Sequence, residues 1–310
     1  MIRTGLAEAT PEGYELNTIL TLVAPLGDRL DSQFLDMGQA ALAAGGACMI
    51  SAPDLFAEGQ AADIAVEADF RDEHLAAAVR ATFGPVAVDF ALQPAANRVK
   101  SLLIADMDST IVSTETLDEM ASEAGLKHRV SAITARAMKG ELDFESALRE
   151  RMALLAGMDV GVLERTYVAT ELSPGAEAMV AGMRKAGAEC RLISGGFKYF
   201  TSRIAERIGF NGDQANDIEV LDGKLTGRVL DPILDKHAKL AALRALASEL
   251  SISLDNAVTV GDGANDLPML KAAGLGIAWR AKPSVAARTR ARIDYGDLTT
   301  LLLFQRLDAR

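Results

Sequence analysis

The stretch that most restricts the fold is Leu102-Leu103-Ile104-Ala105-Asp106-Met107-Asp108-Ser109-Thr110. Four apolar or small residues in an unbroken run suit a strand buried on both faces, as in the middle of a parallel sheet. In open α/β sheets ligands gather beyond the carboxyl ends of such strands, where Asp106 and Asp108 fall. Two carboxylates one residue apart repel each other, and taking them out of water is costly unless a cation shares the site. Mg²⁺ meets that need, because it takes carboxylates, retained waters and phosphate oxygens. A strand followed by an ordinary Asp/Ser turn is the alternative reading, since these residues favour turns by themselves.

Three later segments supply context. Ala257-Val258-Thr259-Val260 reads as a second buried strand, ending in Gly261-Asp262-Gly263-Ala264-Asn265-Asp266. The glycines allow a tight turn and close approach of backbone to a ligand, and Asp262 then sits at a strand tip as Asp106 does. A third strand, Cys190-Arg191-Leu192-Ile193, runs into what reads as a Ser194-Gly195-Gly196 turn, a hydroxyl beside unobstructed N–H groups of the kind that hold phosphate oxygens. Lys239 falls on a helix expected over 236–247; alone it would be read as part of a solvated face.

In order, the Asp106-to-Thr110 motif, Ser194-Gly195-Gly196, Lys239 and the Gly261-to-Met269 segment resemble the four signature motifs of the haloacid dehalogenase-like phosphatases. Glu115, Ile133-Thr134 through Met138, and Leu142 through Arg151 are similar to the phosphoserine branch of that family. The resemblance runs over roughly residues 100–295 and departs from the family at no catalytic motif position. It implies an α/β fold, with a Rossmann-like parallel-sheet core and an inserted helical cap. It also implies roles. Asp106 would be the nucleophile, forming an aspartyl-phosphate, and Asp108 the general acid and base. Mg²⁺ would be held by the Asp106 carboxylate, the Asp108 carbonyl and the Asp262 carboxylate. Ser194, the Gly195 amide and Lys239 would grip the phosphate, with Lys239 also balancing the charge of Asp106. Asn265 would touch the phosphate or the substrate, and Asp266 would orient its neighbours.

The implied reaction is hydrolysis of O-phospho-L-serine to serine and phosphate, the last step of serine formation, in the cytoplasm. Phosphoserine is zwitterionic, so Glu115 would face its ammonium and Arg151 would bind its carboxylate. Without the resemblance, Arg151 in Leu148-Arg149-Glu150-Arg151 would be an ordinary charged helix face. Met138 and Phe144 could line the substrate or simply be cap core, and are left outside the site. A sister phosphatase for another small phosphomonoester, such as phosphohomoserine, is the nearest alternative. An inert amino-acid sensor is a second, opposed by the intact Asp106, Asp108, Asp262 and Lys239 set.

Composition bounds the rest. The 310 residues are enough for two domains, and a net charge of −11 opposes non-specific nucleic-acid binding. No apolar run is long enough for a membrane span, and the N-terminus, with Glu8, Glu12 and Glu15, lacks a leader pattern. Cys48 and Cys190 read as reduced core thiols. His74, His128 and His237 have no metal-ligand spacing and read as surface residues.

The first 95 residues alternate as strand (16–23), helix (32–44), strands (47–51, 61–70), helix (72–82) and strand (85–92). This β-α-β-β-α-β order suits a ferredoxin-like α+β unit, and its position resembles the ACT-like domains that precede related enzymes. A regulatory role and a structural or oligomerising one, including a homodimer, both stay open. The order further predicts an autonomous domain over 1–95, joined by a linker at 93–100. Catalytic core would occupy 96–116 and 173–310, and a cap of four helices, interrupted near Gly125, Gly140 and Gly157, would span 117–172. A β-hairpin turning on Asp222-Gly223 is expected over 218–229.

Overall fold

The apolar runs ahead of the three polar motifs are neighbouring parallel strands. A computed structural model of the chain describes residues 17–138, 141–234 and 236–308. Glu8, Glu12, Glu15, Leu16 and Gly140 lie outside the described residues, as does the side chain of Met138. In chain order the strands are β1 (Asn17–Val23), β2 (Cys48–Met49), β3 (Asp54–Phe56), β4 (Ala61–Glu67), β5 (Asp89–Pro94), β6 (Leu102–Ala105), β7 (Glu189–Phe197), β8 (Gly212–Asn216), β9 (Ile218–Leu221), β10 (Lys224–Val229), β11 (Ala257–Gly261), β12 (Leu275–Trp279) and β13 (Ala291–Ile293). Eleven of them form one sheet in the order β2-β4-β1-β5-β13-β12-β11-β6-β7-β8, with β3 also on β4. From β13 to β8 the pairs are parallel.

Strand β6 is central because both its faces are covered. Leu103 and Ala105 pack into one apolar cluster with Val258, Val260 and Leu192, while Leu102 and Ile104 pack into another with Leu243 and Leu270. All four β6 residues are fully buried. Each large side chain so removed from water contributes about 1.5–3 kcal/mol.

The amino-terminal unit has its own core, in which Leu20, Leu22, Ile64 and Val66 meet Leu42 and Leu75 from the helices Ser32–Ala44 and Glu73–Phe83. It does not stand apart from the rest. Strand β5 pairs antiparallel with β13, so one sheet runs through both units. Buried Asp89 accepts hydrogen bonds from the N–H groups of Asp294 (2.7 Å), Tyr295 (3.1 Å) and Gly296 (2.7 Å). Asp63, also buried, pairs with Arg98 and with Arg306 (2.6 Å). The expected linker is correspondingly structured: Gln93 and Pro94 belong to β5, and Lys100 is fully buried.

Among the described residues five α-helices lie between β6 and β7: four in the inserted segment, Thr116–Glu123, Lys127–Met138, Phe144–Ala153 and Gly161–Ala169, and then Ala176–Lys185, which leads into β7. The chain leaves and returns side by side, with Ser113 N–H donating to Glu171 O (3.0 Å) and Ser173 N–H to Ile111 O (2.9 Å). The hairpin of β9 and β10 turns at Asp222-Gly223, both left-handed (φ 50° and 75°). Among the described residues no helix is long and apolar enough to cross a membrane.

Two expectations need correction. Cys190 is a buried free thiol, but Cys48 is exposed, because β2 is a two-residue edge strand with an open face. Ser194-Gly195-Gly196 is not a turn. It continues strand β7, whose pairing with β8 shifts register between Ile193 and Phe197. The three histidines are exposed, as expected.

Candidate active site

Asp106 is the first residue beyond β6 and is almost fully buried. Its backbone N–H donates to Val260 O (3.0 Å), which ties the strand tip to β11. One carboxylate oxygen accepts from Met107 N–H (2.7 Å) and the other meets Lys239 Nζ at 2.7 Å. Lys239 comes from the helix Lys236–Glu249 and reaches Asp266 as well, at 2.5 Å. Asp266 has no exposed surface, and its second oxygen accepts from Gly263 N–H (3.0 Å).

The carboxylates of Asp106, Asp262 and Asp266 come within 4.8 Å of one another. Burial, with repulsion from Asp266 behind it, pushes the Asp106 carboxyl well above the usual carboxylate range, against the pull of Lys239. The same two causes lift Asp262 to about 6. Conversely, the two carboxylates hold the Lys239 ammonium charged although burial opposes it. One lysine among three acids leaves the cluster short of positive charge. Hard oxygen donors in that state fit a divalent cation such as Mg²⁺.

Asp108 points elsewhere. It follows an extended backbone (φ −64°, ψ 135°), and its carboxylate accepts from Thr116 N–H (2.9 Å) and Ser194 Oγ–H (3.4 Å). Burial, followed by repulsion from Glu115, lifts it to about 7. A carboxyl so placed can carry a proton near neutral pH and then give it up. The glycines of β7 make room for this. A Cβ on Gly196 would lie 2.5 Å from the Asp108 carboxylate, and one on Gly195 would lie 2.8 Å from the ring of Phe144.

A cavity of about 430 Å³ opens over these groups. Its lining includes Asp106, Asp108, Asp262, Ser194, Gly195 and Asn265, and also Glu115 and Arg151 from the helical segment. Thus the residues expected to touch metal or substrate line one cavity except Lys239, which, like the orienting Asp266, lies outside the lining and contacts Asp106. The helix carrying Arg151 settles which of its charges face water: Arg149 pairs with Glu145 (2.8 Å) and Asp231 (2.5 Å), and Glu150 pairs with Arg136 (2.8 Å). Arg151 forms no ion pair among the described residues; its Nε–H donates only to Ala147 O, at 3.4 Å.

Sequence reasoning left out Phe144, Thr116 and Lys282, which also line the cavity. Phe144 had a helical spacing equally suited to the cap core, and it does both. Thr116 acts through its N–H, which no side-chain pattern reveals. Lys282 lies on a loop beyond β12, whose path depends on distant pairing.

The chain is similar to known proteins both in sequence and in fold. Residues 103–271 match the haloacid dehalogenase-like hydrolase family. Over 235 residues the chain is 40% identical to a phosphoserine phosphatase of Streptomyces coelicolor, covering 74% of this chain and 57% of that one. The chain thus spans little more than half the length of that relative. A HAD family hydrolase from Salmonella enterica superposes with a TM-score of 0.79 at 29% identity, covering 94% of this chain and 98% of the other. A substrate-bound phosphoserine phosphatase complex gives a TM-score of 0.62 at 38% identity, covering 66% of this chain and 98% of that one.

Proposed function

The chain belongs to the haloacid dehalogenase-like hydrolases, and on that premise we propose that it hydrolyses O-phospho-L-serine to serine and phosphate in the cytoplasm, using Mg²⁺. The observation that carries this reading is the pairing of Glu115 and Arg151 with the aspartate cluster in one cavity. A phosphate monoester bearing both an ammonium and a carboxylate matches that set of charges.

The chemistry follows from the surroundings of each group. An oxygen of Asp106 attacks phosphorus in line with the ester oxygen; the bond from phosphorus to the serine oxygen breaks as the aspartyl-phosphate bond forms. Asp108, with its carboxyl lifted to about 7, gives its proton to the departing oxygen. It then takes a proton from the water that attacks the aspartyl-phosphate, which frees phosphate and restores Asp106. Ser194, the Gly195 N–H and Lys239 hold phosphoryl oxygens during both displacements. Asn265 binds the phosphate or substrate beside them. Asp106, the Asp108 carbonyl and Asp262 would hold Mg²⁺, which when bound neutralises phosphoryl charge. Asp266, already engaged by Lys239 and Gly263, keeps those two in place.

Phosphate release from phosphoserine, phosphohomoserine and phosphoethanolamine, each with Mg²⁺ and with chelator, tests the reading. Mg²⁺-dependent turnover should favour phosphoserine by at least about tenfold, the equivalent of one lost charged contact. Preference for another compound would assign the cavity to a different phosphomonoester, and turnover of none would remove the enzymatic reading.

A further inference from the structure

The two hydroxyls that follow Asp108 go to two different carboxylates of the cavity lining. Thr110 Oγ–H donates to Asp262 at 3.4 Å, on the side of the aspartate cluster. Ser109 Oγ–H donates to Glu115 at 2.8 Å. Ser109 is also tied to that segment through its backbone, since its N–H donates to Thr114 O at 3.1 Å. It holds a left-handed conformation (φ 55°, ψ 7°). Serine is not favoured there, and such a conformation persists only where surrounding contacts impose it.

Glu115 occupies the N-cap position of the helix Thr116–Glu123, yet its carboxylate makes no capping hydrogen bond. A side chain at this position ordinarily accepts from the first free N–H groups of its helix. Here the carboxylate turns back to Ser109 and lines the cavity. Its charge is felt by both Asp108 and Asp262, which it repels. Without a tether, an exposed glutamate with three rotatable bonds would spread over many rotamers.

We infer that Ser109 is a positioning residue for recognition of the substrate's ammonium: its hydroxyl holds one oxygen of Glu115 and leaves the other to bind the cation. This rests on the proposed phosphoserine reading and adds to it the residue that aims Glu115.

The test compares kcat/KM for phosphoserine with that for the phosphate ester of 3-hydroxypropanoate, which keeps the phosphate and carboxylate but has no ammonium. Ser109→Ala and Ser109→Gly both remove the hydroxyl, and glycine accepts the left-handed backbone. In both variants the ratio of the two kcat/KM values should fall about tenfold, through a higher KM for phosphoserine. The analogue measured in the same preparation reports folding and the phosphoryl chemistry. An equal fall on both substrates, or a fall in the alanine variant that glycine abolishes, overturns the proposal, because the residue would then be shaping the nucleophile loop. Glu115→Gln separates the two levels. If it collapses the ratio while both Ser109 variants keep it, only the role of Ser109 fails. If it leaves the ratio unchanged, the ammonium does not bind at Glu115 and the phosphoserine reading fails with it.

Discussion

Lys239 is shut away from water between Asp106 and Asp266. Asp106→Asn keeps the shape of the side chain proposed as nucleophile and leaves Lys239 paired with Asp266, so the buried ammonium is not orphaned. Turnover of phosphoserine should disappear while the unfolding transition remains cooperative; a variant retaining more than about one hundredth of wild-type kcat would disprove nucleophilic attack by Asp106. Lys100 presents the opposite case. It is fully buried, its Nζ donates to Asn97 O (2.7 Å), and burial, only partly offset by the charge of Asp255, lowers it to about 8 from 10.5. Between those values the folded chain has given up a proton that the unfolded chain retains, so stability rises with pH across the window. Relative to Lys100→Met, the wild type should gain on the order of 2–3 kcal/mol between pH 8 and 10.5, read by denaturant unfolding. Asp106, Asp108 and Asp262 were legible as candidate site residues because each follows an apolar strand run, whereas Lys239, on a helix, was singled out only by the family resemblance. The exposure of Cys48 was not legible, because its apolar neighbours carry no sign that β2 lies at the sheet edge.

Strand β7 shows how an element tunes the site. Its Ser-Gly-Gly segment runs on as strand where a turn was expected, and the side-chain-free surface lets Asp108 and Phe144 close on it. Gly196→Ala would thrust a methyl 2.5 Å from the Asp108 carboxylate and should lower kcat by about 10²-fold, the effect of misplacing a catalytic group by some 1 Å. Gly195→Ala meets the Phe144 ring instead, and its effect should fall mainly on KM; steady-state kinetics on the pair will distinguish them. The helices between β6 and β7 were readable from apolar spacing, which buries one stripe of each. By contrast, β8, Gly-Asp-Gln-Ala-Asn, has no alternation to recognise and is a strand only because β7 pairs with it.

The whole molecule is joined more tightly than its sequence rhythm implies. A chain starting near Asn97 would strip β5 from β13, leave an open sheet edge and release Asp294, Tyr295 and Gly296 from Asp89. That truncation should be insoluble or lose its cooperative transition, contrary to the autonomy expected from the βαββαβ order; a soluble fragment with wild-type kcat/KM would show that the sheet continuity is dispensable. Packing of the helical segment against the core also creates the cavity, and so brings Arg151 to the aspartate cluster. Recognition of the substrate carboxylate by Arg151 is therefore tested by kcat/KM of the intact chain and of Arg151→Ala, on phosphoserine and on phosphoethanolamine, which lacks the carboxylate. Loss of a charge-assisted bidentate contact amounts to about 2–4 kcal/mol, roughly a thirtyfold to thousandfold fall on phosphoserine. Phosphoethanolamine should be a poor substrate of the wild type and lose little more in the variant. Equal losses on both substrates would contradict the account, since Arg151 would then support the fold or the phosphate and nothing in the cavity would read the carboxylate.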